Sequence, residues 1–477
     1  MTVTGLVVIP LGLVIILLPW PYSVTALVIL ATLDSAAVVN VGSFGLQPGF
    51  FFGLLIIART LVEIVVFKTA LNAQVIRMLM PLFWFTIICF ISIWVGLTFF
   101  QGKVMVISST AGFNLDLAQP YTFQRQNLTQ PFYMLLNVAI VYAVAHQIAR
   151  LSPDLVAITL ERAVLGAILF ASFIAVWEMA HFYFGLPFFP NFFHSNAGYY
   201  AAHGQMIGSV LRVSGASAEP SALAYQFSAF LMFAWYRYLG RPRAGSMVLV
   251  LLCLTMMAAS TSTTAFLLLG IFLLIVAKDL AVALATPGHR MKLSMHHFGM
   301  AVLIGAAALG AYAFIQGNWY EINEVLTSML LEKRQSSSFA QRSGADRMAF
   351  DIVIQTGGIG IGIGSHKPNN LAMTLISNTG IAGTVLFAIF LFELLRPRRV
   401  VGPVDARPYR WMVIGLLTVH LISNPNLNPL ILWISFALVI GALSVERLAA
   451  GESAGSRKLD PIPARRTRFA AATAEIS

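Results

Sequence analysis

The sequence predicts an all-α fold: a polytopic bundle of about 12–13 transmembrane helices with three long loops on one side of the membrane. Three observations lead there. Apolar residues make up 58% of the 477 and charged residues only 10%, with a mean hydropathy of +0.80. Soluble domains carry roughly 25% charged residues, and a single core stops growing at roughly 250–300 residues, so the solvent for most of this chain is lipid. The apolar residues fall in continuous runs of about 15–25, not alternating ten-residue segments, which selects helices over a β-barrel. Finally, the formal charge of +11 gathers in short connections and the tail. The positive-inside rule accounts for that charge without nucleic acid.

The first spans, 4–19 and 22–41, meet at Pro19-Trp-Pro21, which reads as a tight turn or as a kink within one long segment. No Lys or Arg precedes the first run and no small-residue cleavage site follows it, so it reads as a retained helix. Spans 48–67, 80–99, 131–149 and 160–184 follow. The next, 220–238, opens on Pro220, a residue suited to the first helical turn. Spans 245–259, 263–284 and 296–316 precede the longest loop, and 370–394, 410–423 and 428–445 come after it. Residues 1–445 thus form the transmembrane domain, with loops at 100–130, 185–219 and 317–369. The basic tail, 446–477, is expected to be disordered. Cys89 and Cys253 both lie in apolar runs and supply neither a disulfide framework nor a zinc site. There is no internal repeat or repeated pair of broken helices, which weighs against an inverted-repeat transporter.

Charge sets the orientation. With Arg447, Arg457, Lys458, Arg465, Arg466 and Arg468 of the tail in the cytoplasm, alternation of the spans puts Arg396, Arg398, Arg399, Arg407 and Arg410 inside as well. The same parity places Lys278, Arg290 and Lys292, then Arg237, Arg241 and Arg243, on that side. Arg150, Arg162, Lys68 and Arg77 join them, and all three long loops fall outside.

The outer loops carry cations that topology does not require: Arg212, Lys333, Arg334, Arg342, Arg347 and Lys367. Either they are solvated charges paired with Glu321, Glu324, Glu332, Asp346 and Asp351, the reading that suits Lys333 and Arg334, or they bind an anion, for which the arginine fork is well shaped. In Arg212-Val-Ser-Gly-Ala-Ser-Ala-Glu219-Pro220-Ser221, Glu219 sits at a helix N-cap. It serves there as a capping carboxylate or as a group able to orient or deprotonate a hydroxyl. Residues 345–355 read as a helix on which Arg347 and Asp351 are one turn apart and able to pair. The run Gly357-Gly-Ile-Gly-Ile-Gly-Ile-Gly364 permits close backbone approach to a ligand, but no βαβ unit surrounds it to make a dinucleotide fold. Within the spans, Arg59 and Glu63 read as a neutralising pair, and Glu178, His181 and His420 as helix glue or cavity lining. Ser260-Thr-Ser-Thr-Thr264 reads as helix capping. With no Asp-x-Asp pair, His/Cys spacing or Walker loop, neither a metal nor a nucleotide cofactor is expected.

Three stretches, in this order and on these loops, resemble the O-antigen ligase and Wzy-type polysaccharide polymerase superfamily. They are Arg212-Val-Ser-Gly…Glu219-Pro-Ser, Ser260-Thr-Ser-Thr-Thr-Ala, and Arg342 through Gly383, ending Asn369-Asn370-Leu…Asn378-Thr-Gly380-Ile-Ala-Gly383. Arg347 with Gly358 also fits an Arg-x10-Gly spacing associated with such polymerases. The resemblance implies a multi-span, inverting, metal-independent glycosyltransferase of the bacterial inner membrane, with a cytoplasmic C-terminus. It would move a glycan from undecaprenyl diphosphate to an acceptor hydroxyl at the periplasmic face, alongside membrane lipid and polysaccharide export or chain-length proteins. On that reading Arg212, Arg342 and Arg347 face the diphosphate and Glu219 the acceptor hydroxyl, while His366, Asn369 and Asn370 are candidates for glycan contact. Asn369-Asn370 stands where ligase-like members carry His-Asn, and Thr263 where they carry an arginine. Both departures favour an exopolysaccharide polymerase over a lipid A-core ligase. A lipid-linked oligosaccharide flippase is the other alternative.

Overall fold

The computed structural model describes residues 1–108, 115–199, 204–207, 210–285, 337–397 and 404–456. The expected span 296–316, Lys333 and Arg334, the start of the third loop and the tail from 457 onward lie outside these residues.

The fold is mostly helical. α1 (Val3–Ile15) and α2 (Trp20–Leu30) are separate helices, with Pro19 at the N-cap of the second, so the Pro-Trp-Pro signal marks a turn. α3 (Pro48–Val65), α4 (Ala73–Phe99), α5 (Arg125–Ile148) and α6 (Pro153–Phe184) follow. After the short α7 (Pro190–Phe193) come α8 (Pro220–Gly240), α9 (Ala244–Ala259) and α10 (Thr263–Ala285). The last group is α11 (Ser337–Gln355), α12 (Leu371–Leu395), α13 (Arg407–Ile422) and α14 (Leu430–Ser456). Among the described residues six helices, α3, α4, α5, α6, α10 and α12, are long and apolar enough to cross a membrane. Between 17% and 50% of each spanning window is buried, so every one of them also presents an unburied apolar face. Large apolar side chains such as Phe173, Leu274 and Phe392 are more than half exposed, a surface that lipid accepts and water does not.

α4, α5 and α6 start at Ala73, Arg125 and Pro153, before the expected 80, 131 and 160, and two boundaries differ more. The second span was expected to run to residue 41, but α2 stops at Leu30. Val39–Val41 instead forms β1, paired antiparallel with β2 (Phe44–Leu46). The alternation Val39-Asn-Val41 is a strand signature that simple hydropathy merges with the helix before it. The tail was expected to be disordered from 446, yet α14 continues to Ser456.

α8 packs on α13 and α9, α12 on α4, α14 on α5, and α2 on α6. A continuous core of large side chains, including Phe52, Phe85, Phe230, Phe387, Trp433 and Phe436, runs through the bundle. At one end, basic residues meet their carboxylates. Glu63 accepts from Arg59 (3.3 Å), Arg150 (2.8 Å), Trp20 Nε1 (2.9 Å) and Gln147 (3.0 Å), while Glu161 pairs with Arg237 and Arg241. The Arg59–Glu63 pair is the one expected from the sequence.

At the other end the long connections interlock. β3 (Met105–Val106) pairs with β4 (Gln119–Pro120), and β5 (Met206–Ile207) with β6 (Val210–Leu211). The glycine run 357–364, with left-handed φ at Gly357, Gly358, Gly360, Gly362 and Gly364, lies against a break in α12 at Gly380, whose φ of 70° and ψ of −174° interrupt the helix. A helix broken inside a bundle leaves backbone groups that need partners. Here Ser377 O accepts from Ile361 N (3.2 Å), Asn378 O from Gly362 N (2.7 Å), and Ile381 N donates to Gly358 O (2.8 Å). The Asn378 side chain completes the clasp, donating to His366 O and accepting from His366 N, both at 3.0 Å. A Cβ at Gly362 would sit 2.7 Å from the Ile93 Cα of α4. The alternating glycines thus serve backbone-to-backbone packing, not the ligand approach inferred from their spacing.

Candidate functional site

A cavity of about 560 Å³ opens at this interlocked end. It lies where the end of α2, the starts of α3, α8, α10 and α14, and the end of α13 converge, with Arg342 of α11 and Lys367 also in its wall. Four helix N-termini therefore surround it against two C-termini, which biases its potential toward anions. Three cations (Arg212, Arg342 and Lys367) and two carboxylates (Asp34 and Glu219) line it, with Tyr199, Gln47 and Gln226.

The loop carrying Arg212 and Glu219 is fixed from below. Glu178, buried on α6, accepts from Ser214 N (2.9 Å), Ser214 Oγ (3.0 Å) and Gly215 N (2.6 Å). Val213 N donates to Ala259 O at the end of α9 (3.1 Å), and Ser35 N to Ala216 O (3.3 Å). Glu178, read from the sequence as glue or cavity lining, is glue, and its partner is a loop. Arg212 donates to Gln205 Oε1 at 3.0 Å. Burial lowers the Arg212 guanidinium from its usual range, opposed by the nearby Glu219 charge. Truncating Glu178 strands three buried donors, each worth about 1–3 kcal/mol. Glu178→Ala is expected to lower the unfolding temperature in detergent and to weaken anion binding in the cavity. An unchanged melting curve would refute this account of the loop.

Glu219 is the N-cap residue of α8, but its side chain caps no backbone N–H; it accepts from the Ser221 hydroxyl and lines the cavity. Its charge is felt by Arg212, Lys367 and Asp34. The Lys367 ammonium is lowered by burial and by neighbouring Arg342, with Glu219 opposing. Ser262, Thr263 and Thr264, read from the sequence as capping residues, add hydroxyls to the wall. Tyr225 also lines it, its hydroxyl 2.8 Å from His420 Nε2, while His420 Nδ1 donates to Asn424 O (3.0 Å).

Four sequence candidates lie elsewhere. Arg347 is exposed on α11, on a face shared with Phe350, Asp351 and Ile354, and does not line the cavity. Five residues at 100° per residue separate it from Arg342, so the two project in clearly different directions. The ion pairs among the described residues do not include one between Arg347 and Asp351. His366 is buried with both ring nitrogens committed to backbone: Nδ1 accepts from Ile107 N (3.2 Å), so Nε2 carries the proton and donates to Ala345 O (3.0 Å). Burial pushes this imidazole down to about 4, so it stays neutral at physiological pH. Asn369 donates through its backbone to Asp346 (2.8 Å) and through its side chain to Ile422 O (3.2 Å). Asn370 caps α12 through Met373 N and donates to Asp346 (3.1 Å). All three hold the frame around Lys367.

Asp34 was missed. Its Oδ1 is buried without a hydrogen-bond partner, and burial pushes the carboxyl up to about 7, with the Glu219 charge adding to the rise and Gln226 opposing. The available signal was a lone acid inside the apolar stretch 22–41, which is by default a functional candidate. Chemically, the cavity offers cations to a multiply charged anion and Asp, Gln and Tyr side chains to a hydroxyl-bearing molecule. No protein-family model, curated protein or solved structure matches the chain.

Proposed function

We propose that this chain is an exopolysaccharide or O-antigen polymerase of the bacterial inner membrane. It transfers a glycan from undecaprenyl diphosphate to an acceptor sugar hydroxyl at the periplasmic face, without a metal. The observation that carries the reading is the convergence of Arg212, Arg342, Lys367, Glu219 and Asp34 on one cavity at one end of an apolar bundle. The basic cluster of Arg59, Arg150, Arg237 and Arg241 at the opposite end supports a cytoplasmic assignment for that end.

The chemistry follows from these groups. A lipid diphosphate is already a good leaving group, so what accelerates its departure is positive charge on the leaving oxygens and orientation of the nucleophile. Arg212, Arg342 and Lys367 supply the charge; four helix N-termini reinforce it. The acceptor oxygen attacks the anomeric carbon from the face opposite the diphosphate, the carbon–oxygen bond to phosphate breaks with its electron pair, and configuration inverts. A cavity carboxylate takes the acceptor proton.

The test is transfer by the purified protein, in chelator, from an undecaprenyl-diphosphate-linked oligosaccharide labelled in its glycan. Longer glycan with release of undecaprenyl diphosphate is the expected product; its absence with a competent donor contradicts the proposal. In the same assay Arg347→Ala is expected to stay within about threefold of wild type, as for a solvated charge. A hundredfold loss would restore Arg347 to the site.

A further inference from the structure

Two carboxylates line the cavity, and their surroundings differ. Glu219 stands at the N-terminus of α8, accepts from the Ser221 hydroxyl and is felt by both Arg212 and Lys367. Asp34 lies on the turn after α2. The backbone of that turn is clamped three ways: the Gln47 amide donates to Asp34 O, Gln226 Nε2 to Thr32 O (3.2 Å), and Ser35 N to Ala216 O (3.3 Å). Those bonds use main-chain atoms, and Asp34 Oδ1 lines the cavity buried without a hydrogen-bond partner, while the Gln226 amide and the Asp34 and Ser35 N–H groups lie close enough to the carboxyl to oppose its rise. A buried acceptor without a donor is costly and is retained where it has work to do.

We propose that the Asp34 carboxylate takes the proton from the acceptor sugar hydroxyl, and that Glu219 holds the cationic side in register. This rests on the transferase reading above and specifies its proton acceptor. In the step, the acceptor O–H bond gives its proton to Asp34 as the oxygen bonds the anomeric carbon; the diphosphate leaves with the electron pair of the broken bond. The protonated Asp34 then returns its proton to water or to the departing diphosphate. Burial holds the Asp34 carboxyl at about 7, where it is both substantially ionised and basic enough to accept a proton at neutral pH. The groups that share its field are Glu219, Tyr199 and Tyr225, with His194 one residue removed through its 3.2 Å contact to Ser35 Oγ. The cations Arg212, Arg342 and Lys367 line the same cavity.

Turnover and donor binding, measured separately on the full-length protein in detergent, test this. Asp34→Asn is expected to bind the undecaprenyl-diphosphate-linked donor within about twofold of wild type and to lose about 10²–10⁴ in kcat. The wild-type rate should fall as pH drops through about 7, and that acid limb should vanish in Asp34→Asn. Should Asp34→Asn not fold, Asp34→Glu serves, since it keeps a base and should turn over with a displaced acid limb. An acid limb that stays in place there contradicts the proposal. Near-normal turnover of Asp34→Asn alongside a dead Arg342→Ala overturns the Asp34 assignment and leaves the transferase reading standing. A wild-type protein that neither binds nor transfers the donor overturns both.

Discussion

Arg342→Ala is expected to lose about 10²–10³ in kcat for glycan transfer, with its far-ultraviolet circular dichroism and elution profile unchanged. Removing one preorganised donor from a developing anion costs about 2.7–4 kcal/mol in a site that excludes water. Arg342 lies at the cavity on α11 beside Lys367, whose ammonium its charge lowers. The guanidinium is therefore set where cations already repel one another, an arrangement that an arriving diphosphate relieves. Arg342→Lys should recover only part of the loss, because a point charge replaces a planar fork. Steady-state kinetics decide the matter: a rate within threefold of wild type for Arg342→Ala would remove the cation from the chemistry.

Gly380→Ala is expected to be one of the more damaging single methyls among the described residues, costing about 1–3 kcal/mol of stability. Gly380 has φ of 70°, and a Cβ there would run into the Ile359 carbonyl oxygen. The segment 358–364 would be pushed out of the break in α12, taking with it the Asn378–His366 clasp and the backbone beside Lys367. Detergent melting curves would report the loss, and binding of the lipid diphosphate should weaken because Lys367 follows that segment by three residues. A wild-type melting curve for Gly380→Ala would mean that the glycine run is not what closes the broken helix.

Much of the fold was legible in the sequence because lipid imposes a long, continuous apolar signal on every spanning helix. The ends of α3, α8, α9, α10 and α12 fall within a few residues of the expected spans. The overrun of α2 into β1 arose because Val38, Val39 and Val41 are as apolar in a strand as in a helix. Of the site, Arg212, Glu219 and Arg342 were legible as charges on loops beside a helix start. Arg347 was not distinguishable from Arg342 by sequence, since only the helical phase of α11 separates the cavity side from the exposed side. Asp34 was hidden by its apolar neighbours. The glycines declared backbone freedom but not what the backbone would approach, and the answer was α12 and α4.

The central claim is that the cavity breaks the glycosyl–phosphate bond of a lipid-linked glycan. The most direct measurement is the fate of that lipid in proteoliposomes holding purified protein and a donor labelled in both glycan and prenyl chain. The account predicts that the two labels separate, with free undecaprenyl diphosphate appearing in step with glycan elongation, and that Arg212→Ala and Arg342→Ala abolish both. Passage of the doubly labelled lipid across the bilayer intact, with no release of undecaprenyl diphosphate, would contradict it and make the protein a flippase.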